Sequence, residues 1–257
     1  MPKGKERTPV DRVDPRAGFA DIHSHVLWGI DDGAEEKEAC FRMLREAAKD
    51  GISLIVCTPH IEPGVTPFDE NAFLAAYHES LALISRENLP LRLLPGNEIL
   101  YTEHTLRFLQ EGRIHPLGDT RAVLVEFFPG ESESRISEAV RRIGTTGYRP
   151  ILAHTERYMR LSRISQIRAL KEAGAEIQIN ARTLLRKQPL LRRSYFNSLF
   201  EEDLVDYVST DTHDMPGRET CMTEAYDFIC DRYGRSRADA LCRDNALELL
   251  GVSDFNN

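Results

Sequence analysis

What the chain lacks narrows what it can be. It has no C-x-x-C pair, and its five cysteines, at 40, 57, 221, 230 and 242, are odd in number. Free thiols in a reducing cytoplasm fit that usage better than a disulfide framework. No cysteine is followed six positions on by an arginine, which excludes a phosphatase loop of the C-x5-R type with a cysteine nucleophile. No apolar run reaches the ~18 residues that mark a membrane span. Residues 1–18 are polar and proline-rich without an apolar stretch. They read as a disordered N-terminal extension and not as a signal peptide, so a cytoplasmic location is expected. Basic charge is also short: the net charge of -8 argues against nucleic acid as a partner. No linker, internal repeat or low-complexity segment divides the chain after residue 18.

What is present reads as one α/β domain over residues 19–257. The length of 257 residues and a hydrophobic content of 41% suit a single barrel with a sizeable core. Strand-like and helix-like patterns alternate. Strands are expected at 19–22, 52–58, 91–95, 122–125, 151–153, 176–179 and 207–210. Helices are expected at 35–50, 69–88, 133–146, 162–173, 190–203, 217–233 and 236–250. In 35–50, Ala39, Met43, Leu44 and Ala47 share one face, Gly51 stops the helix, and Asp69 is a cap candidate for the next one. Repeated strand-helix units imply a parallel sheet covered by helices.

Six of the seven expected strands lead into residues that bind metals. The first runs into His23 and His25, the second into His60, the third to Glu98 and the fourth to Glu126. The fifth leads to His154, and the last to Asp211 and His213. Asp32 follows in the loop after the first strand. Only 176–179 ends without an obvious ligand, at Asn180. In a parallel barrel these ends meet on one face, where active sites form. An isolated histidine is more often a satisfied structural residue, but this many imidazoles and carboxylates at strand ends make a poor structural polar network. His78, His104 and His115 fall in helix or loop contexts and read as surface residues. Imidazole with carboxylate and no thiolate suits Mn, Fe or Zn. Nine ligands exceed one ion's needs, so two or three ions sharing carboxylates are expected. Such a positive centre attracts a phosphate dianion, and clustered ions generate hydroxide near neutral pH.

D-I-H-S-H at 21–25, I-D-D-G at 30–33, T-P-H at 58–60, N-E at 97–98, V-E-F at 125–127, A-H-T-E-R-Y at 153–158 and S-T-D-T-H at 209–213 resemble the PHP (polymerase and histidinol phosphatase) superfamily. Within it, the resemblance is to the bacterial manganese-dependent protein-tyrosine phosphatases of capsule and exopolysaccharide operons. It spans the chain from residue 19 almost to its end, with the motifs in order. It implies a distorted TIM-like (β/α)7 barrel of PHP type with a trinuclear centre. His23, His25, Glu98 and Asp211 would hold one ion. Glu98, Glu126 and His154 would hold the second, and Asp32, His60 and His213 the third. Arg157 and Arg218 match phosphate-binding arginines, whose planar fork suits phosphate oxygens. Trp28, Thr155 and Asp214 depart from frequent family choices without removing a ligand. Trp28 would either stack on a substrate ring or pack under its loop. A basic cluster of Arg182, Arg186, Lys187, Arg192 and Arg193 reads as a solvated helix face, with docking of an acidic tail as the alternative.

The expectation is a metal-dependent protein-tyrosine phosphatase, with a metal-held hydroxide attacking phosphorus in line. The resemblance implies manganese as the cofactor, with iron or zinc as alternatives. It implies the tail of a bacterial tyrosine autokinase controlling polysaccharide export as the partner. A small-molecule phosphatase, such as one for histidinol phosphate, and a non-catalytic metal-binding domain are the rival readings.

Overall fold

The computed structural model describes residues 18–252. Residues 1–17 and 253–257, and with them the expected extension, lie outside the described residues. Runs rich in branched apolar residues form nine short strands: β1 (Phe19–Ser24), β2 (Ile52–Cys57), β3 (His60–Ile61), β4 (Arg92–Pro95), β5 (Glu98–Leu100), β6 (Ala122–Glu126), β7 (Arg149–Leu152), β8 (Glu176–Asn180) and β9 (Tyr207–Ser209). All pairings are parallel. β1, β2 and β4 form one sheet, and β3, β5, β6, β7, β8 and β9 form a second. Every residue of β1 and β2 is buried, as expected for parallel strands covered on both faces.

The second and third expected strands form as β2 and β4, and each is followed after a short break by a further strand, β3 or β5, in the other sheet. The first break is at Thr58-Pro59, where proline offers no N–H to a ladder. The second is at Gly96-Asn97. A Cβ on Gly96 would meet Val56 Cγ1 at 2.8 Å, so the chain presses on β2 there. Asn97 stitches the seam, donating from Nδ2 to the Pro59 carbonyl at 3.2 Å and accepting from the His115 N–H at 2.8 Å. At the other edge, Asp211 N donates to His23 O at 2.9 Å and His25 N to Thr212 O at 3.0 Å. Buried Asp21 of β1 accepts from the Thr210 N–H and hydroxyl at 3.1 and 2.5 Å, and burial raises its pKa to about 6.

The core has two parts. The larger lies between strands and helices. The smaller is built from alternate strand positions: Ala20 and Ile22, Leu54 and Val56, Ala122 and Leu124, Ile151 and Ala153, and Tyr207. Ala246 and Leu249 of the helix Asn245–Leu250 close it. Because side chains on a strand alternate faces, continuing these rows gives Thr58 and His60, Glu126, and Ser209 and Asp211. One row of residues is therefore apolar at the base and metal-binding in type at the strand ends.

The helices follow the expected pattern with physical exceptions. Asp69 caps its helix by accepting from Ala72 N at 3.0 Å. The helix expected from 217 begins at Met222. Its first N–H groups, on Met222 and Thr223, are capped at 2.6 and 3.1 Å by the Asp50 carboxylate, a partner 172 residues from Met222 that periodicity does not register. That leaves 214–221 as a loop, with Gly217 at φ +82°. Short helices at Thr105–Gln110 and Ala181–Leu185 and a 3-10 turn at Thr155–Arg157 were not expected. No helix among the described residues is long and apolar enough to cross a membrane.

Leu124 is fully buried in the smaller core. Leu124→Ala should cost about 2–5 kcal/mol, read as a lowered denaturant midpoint. A loss under about 0.5 kcal/mol would mean that the core is not close-packed there.

Candidate metal centre

All nine residues with metal-binding side chains gather at the strand ends. Four groups place ligand atoms within 4.8 Å of one another: His25, Asp32, His60 and His213; His23, His154 and Asp211; His23, His25 and Glu98; and His60, Glu98 and Glu126. The three sets implied by the family motifs recur with exchanges of partner. His25 joins the Asp32 group, Asp211 groups with His23 and His154, and His60 reaches Glu98 and Glu126. His154 Nε2 is also 2.8 Å from Glu98 Oε1 and 3.5 Å from Glu126 Oε2.

Glu98 sits in the middle and is fully buried. Its Oε2 lies 3.0, 3.1 and 3.2 Å from His23 Nε2, His25 Nε2 and His60 Nδ1. Yet Glu98 Oε2 and the buried His60 Nδ1 and His154 Nδ1 have no well-formed hydrogen bond. The Nε2 atoms of His23 and His25 face each other at 3.2 Å. Buried polar atoms left without a hydrogen bond in so crowded a place are open to a shared cation. The donor set therefore fits divalent metal ions.

The electrostatics follow from the crowding. Burial opposes charge on His60, yet the close carboxylates of Asp32, Glu126 and Glu98 push its pKa up to about 11. Burial likewise opposes charge on His25, and Asp31, then Glu98, push it up to about 9. Glu98 is held well below the usual carboxylate range, against its burial, chiefly by His23 and His154. Imidazoles and carboxylates crowd together here, and a metal ion held among them would compete with protons for the same atoms.

Backbone strain concentrates here. His154 has φ +31° and Asp211 φ +52°, a region costly for residues with a Cβ and common at functional sites. β1 reaches the centre differently, through a register irregularity between Asp21 and Ser24 that lets His23 and His25 both face it. The I-D-D-G loop is pressed onto β1: a Cβ on Gly33 would sit 2.1 Å from the His25 carbonyl oxygen.

Some supporting residues were not among the expected ligands. Asp31, 5% exposed against 59% for Asp32, accepts from His25 Nδ1 at 2.7 Å and from the His60 N–H at 2.9 Å. β8, the strand without a ligand, supplies the layer beneath. Gln178 Oε1 accepts from His154 N at 2.7 Å and lies 3.2 Å from His23 Nδ1. Gln178 Nε2 donates to Asn180 Oδ1, and Asn180 Nδ2 to Asp211 Oδ2. A glutamine in an otherwise apolar buried strand, E-I-Q-I-N, was the available signal.

Arg157 and Arg218 flank the cluster on one carboxylate. Arg157 Nη2 is 2.5 Å from Asp211 Oδ2, and Arg218 Nη2 is 2.7 Å from Asp211 Oδ1. The loop holding Arg218 is pinned through its carbonyl, which accepts from His213 N at 3.0 Å and Thr212 Oγ1 at 2.8 Å. The basic cluster does not share one helix face. Arg182, Arg186, Lys187 and Arg192 line a cavity with Arg157 and Arg218, and Arg193 lines a neighbouring groove whose wall Arg186 and Lys187 share. Trp28 packs edge-to-face on Phe41, with ring centroids 6.0 Å apart, beneath Lys37. His78 is exposed, and His104 and His115 are half-buried away from the centre. The five cysteines are free, and burial pushes the Cys57 thiol, on β2, far up.

A parallel α/β fold with imidazoles and carboxylates gathered at its strand ends belongs to the class of TIM-like metal-hydrolase folds. A lactonase template engineered for organophosphate hydrolysis shares it, at TM-score 0.60 and 13% identity over 93% of this chain and 97% of the other. Residues 19–251 match the family model described as capsular polysaccharide synthesis, CpsB/CapC, and the chain belongs to that family. It is 30% identical over 240 residues to the tyrosine-protein phosphatase CpsB of Streptococcus agalactiae, covering 90% of this chain and 97% of that one. To the tyrosine-protein phosphatase YwqE of Bacillus subtilis it is 30% identical over 232 residues, covering 90% and 91%. Work on the metal-dependent tyrosine phosphatases YwqE and CpsB of Streptococcus pneumoniae gave a structure that matches at TM-score 0.81 and 28% identity, over 91% and 95% of the two chains.

Asp31→Asn keeps the size of the side chain but removes the charge beside His25. It should weaken metal affinity by about 10–100-fold, measured by titrating metal-stripped protein with Mn2+. An unchanged affinity would show that Asp31 does not orient His25.

Proposed function

We propose that this chain hydrolyses phosphotyrosine in proteins, with water as the nucleophile and no covalent enzyme intermediate. It is a metal-dependent phosphoric monoester hydrolase. The observation that carries the reading is the meeting of two guanidinium groups, Arg157 and Arg218, on Asp211 at the rim of the nine-residue cluster. That arrangement sits in a chain whose named relatives are tyrosine-protein phosphatases.

His23, His25, Asp32, His60, Glu98, Glu126, His154, Asp211 and His213 are the proposed ligands of two to three ions, with manganese preferred over iron or zinc. Bound there, the ions supply positive charge to the phosphoryl oxygens and lower the pKa of water at the site. The chain's own groups do the rest. Arg157 and Arg218 are positioned to leave Asp211 for a phosphate and to bind its equatorial oxygens as planar forks. Asp31, Gln178 and Asn180 fix the orientation of His25, His154 and Asp211. The two parallel sheets are taken as one distorted (β/α)7 barrel in a single domain from residue 19, with main-chain bonds at the seams in support. Five free thiols, four of them buried, support work in the reducing cytoplasm. A bacterial tyrosine autokinase is the proposed partner, by kinship with capsule-synthesis proteins.

The test offers metal-loaded protein a phosphotyrosine peptide, a phosphoserine peptide and histidinol phosphate side by side, with bound metal measured by elemental analysis. Preferential hydrolysis of phosphotyrosine, abolished by a chelator, is expected. Preference for histidinol phosphate would replace the reading with a small-molecule phosphatase, and one ion or fewer per active chain would remove the multinuclear centre.

Guanidinium offers donors only and cannot bind a metal. Arg157→Ala and Arg218→Ala should therefore keep their metal content while kcat/KM falls by roughly 2–4 kcal/mol in transition-state stabilisation. Lysine should restore activity only in part, lacking the fork. Wild-type rates in both alanine variants would place the phosphate elsewhere.

A further inference from the structure

We propose that the basic cleft beside the metal centre is a second anion subsite, which takes another phosphotyrosyl or carboxylate side chain of the same substrate segment. The proposal rests on the phosphotyrosine reading above. The cleft holds about 510 Å³ and is lined by Arg157, Arg182, Arg186, Lys187, Arg192 and Arg218. That is within the size range of ligand pockets, about 300–1,000 Å³, and larger than one phosphate needs.

Its charge is not neutralised from within. Two carboxylates, Glu156 and Asp211, line it against six cations. Asp211 is engaged by Arg157 and Arg218 at the centre end. Glu156 is buried, and its Oε1 accepts from the Thr183 hydroxyl at 2.9 Å and the Asn180 N–H at 3.2 Å. Glu156 thus ties the turn carrying Arg157 to the helix carrying Arg182. Arg192 donates to the neutral Glu156 carbonyl at 2.8 Å. Arg182 donates to the Glu219 carbonyl at 2.6 Å, with the Glu219 carboxylate at 3.4 Å. Arg186 and Lys187 are exposed and engage no carboxylate among the described residues.

A chain of net charge -8 therefore concentrates unpaired positive charge at one place, contiguous with the two arginines that face the metals. Arg157 and Arg218 serve the first anion. Arg182, Arg186, Lys187 and Arg192 remain for a second, held a few residues along the same peptide. Arginine forks bind phosphate or carboxylate in two-pronged fashion, so the subsite's selectivity is for negative charge near the scissile residue.

The experiment measures binding by fluorescence anisotropy to the full, metal-loaded chain. The peptides carry a non-hydrolysable phosphonate analogue of phosphotyrosine, followed a few residues on by alanine, glutamate or a second phosphonate. The anionic peptides should bind roughly tenfold tighter than the alanine peptide, the size of one charge-assisted contact. A glutamate peptide equal to the second phosphonate assigns the subsite to carboxylates, and a tighter second phosphonate assigns it to phosphate. The ratio should fall to near one in R186E/K187E and in the milder R186Q/K187Q, with folding checked by circular dichroism. R193E makes the same net change in charge as R186Q/K187Q, at a residue that lines the neighbouring groove and not the cleft, and it should keep the ratio. A wild-type ratio near one, or an equal fall in R193E, would overturn the subsite. Hydrolysis of the phosphotyrosine form of the alanine peptide is scored in parallel. Turnover with a ratio near one sinks the subsite alone; a tenfold ratio without turnover keeps the subsite and sinks the phosphatase reading.

Discussion

Burial of the Glu98 carboxylate among imidazoles is the constraint on which the rest of this molecule depends. A lone carboxylate at zero exposure would carry a large desolvation cost. His23, His25, His60 and His154 bring nitrogens to within 2.8–3.2 Å of it. Those four imidazoles come from the ends of three different strand units, so satisfying one carboxylate fixes the relative height of each. The break at Gly96-Asn97 is what carries Glu98 to the centre. Proteins retain such costly groups where binding or chemistry needs them.

The site is held in three layers, each with its own physics. Apolar side chains at alternate strand positions fill the base. Above them, Asp31, Gln178 and Asn180 fix the direction of the metal-facing groups through buried hydrogen bonds. At the rim, Arg157 and Arg218 meet on Asp211, and positive charge continues outward into the cleft. Strain is confined to the top of this stack. His154 and Asp211 adopt left-handed backbone, and a regular strand would have turned the His154 side chain away. Such conformations survive only where the surroundings over-determine them, and here the Gln178 and Asn180 amides are those surroundings.

Charge organisation links the layers to chemistry. The crowding of imidazoles and carboxylates raises His25 and His60 and depresses Glu98. A divalent ion held there would compete with protons for the same atoms. The thiols take no part. Four of the five are buried, and the shift on Cys57 works against a thiolate.

The sequence alone determined the parallel α/β class and the identity of the nine clustered residues. Strands and helices alternated with clear periods, and imidazoles and carboxylates stood where apolar runs ended. It also excluded a cysteine phosphatase loop of the C-x5-R type, because that spacing is a local fact. What only the tertiary structure decided were matters of partners distant in sequence. The second and third strands split between sheets because Pro59 and Gly96 meet neighbours that local pattern does not reveal. The helix thought to begin at 217 starts at Met222 because Asp50 caps it, and so Arg218 sits on a loop. Asp31 and Asp32 are adjacent and chemically alike, and only packing set one beneath His25 and the other at the surface. The strand that ended without a ligand proved to carry Gln178 and Asn180, which orient the ligands of others. The basic residues between 182 and 192 became one cleft because two helices and a loop bring them to one place. Periodicity fixes which face a side chain takes. It does not fix which neighbours that face will meet.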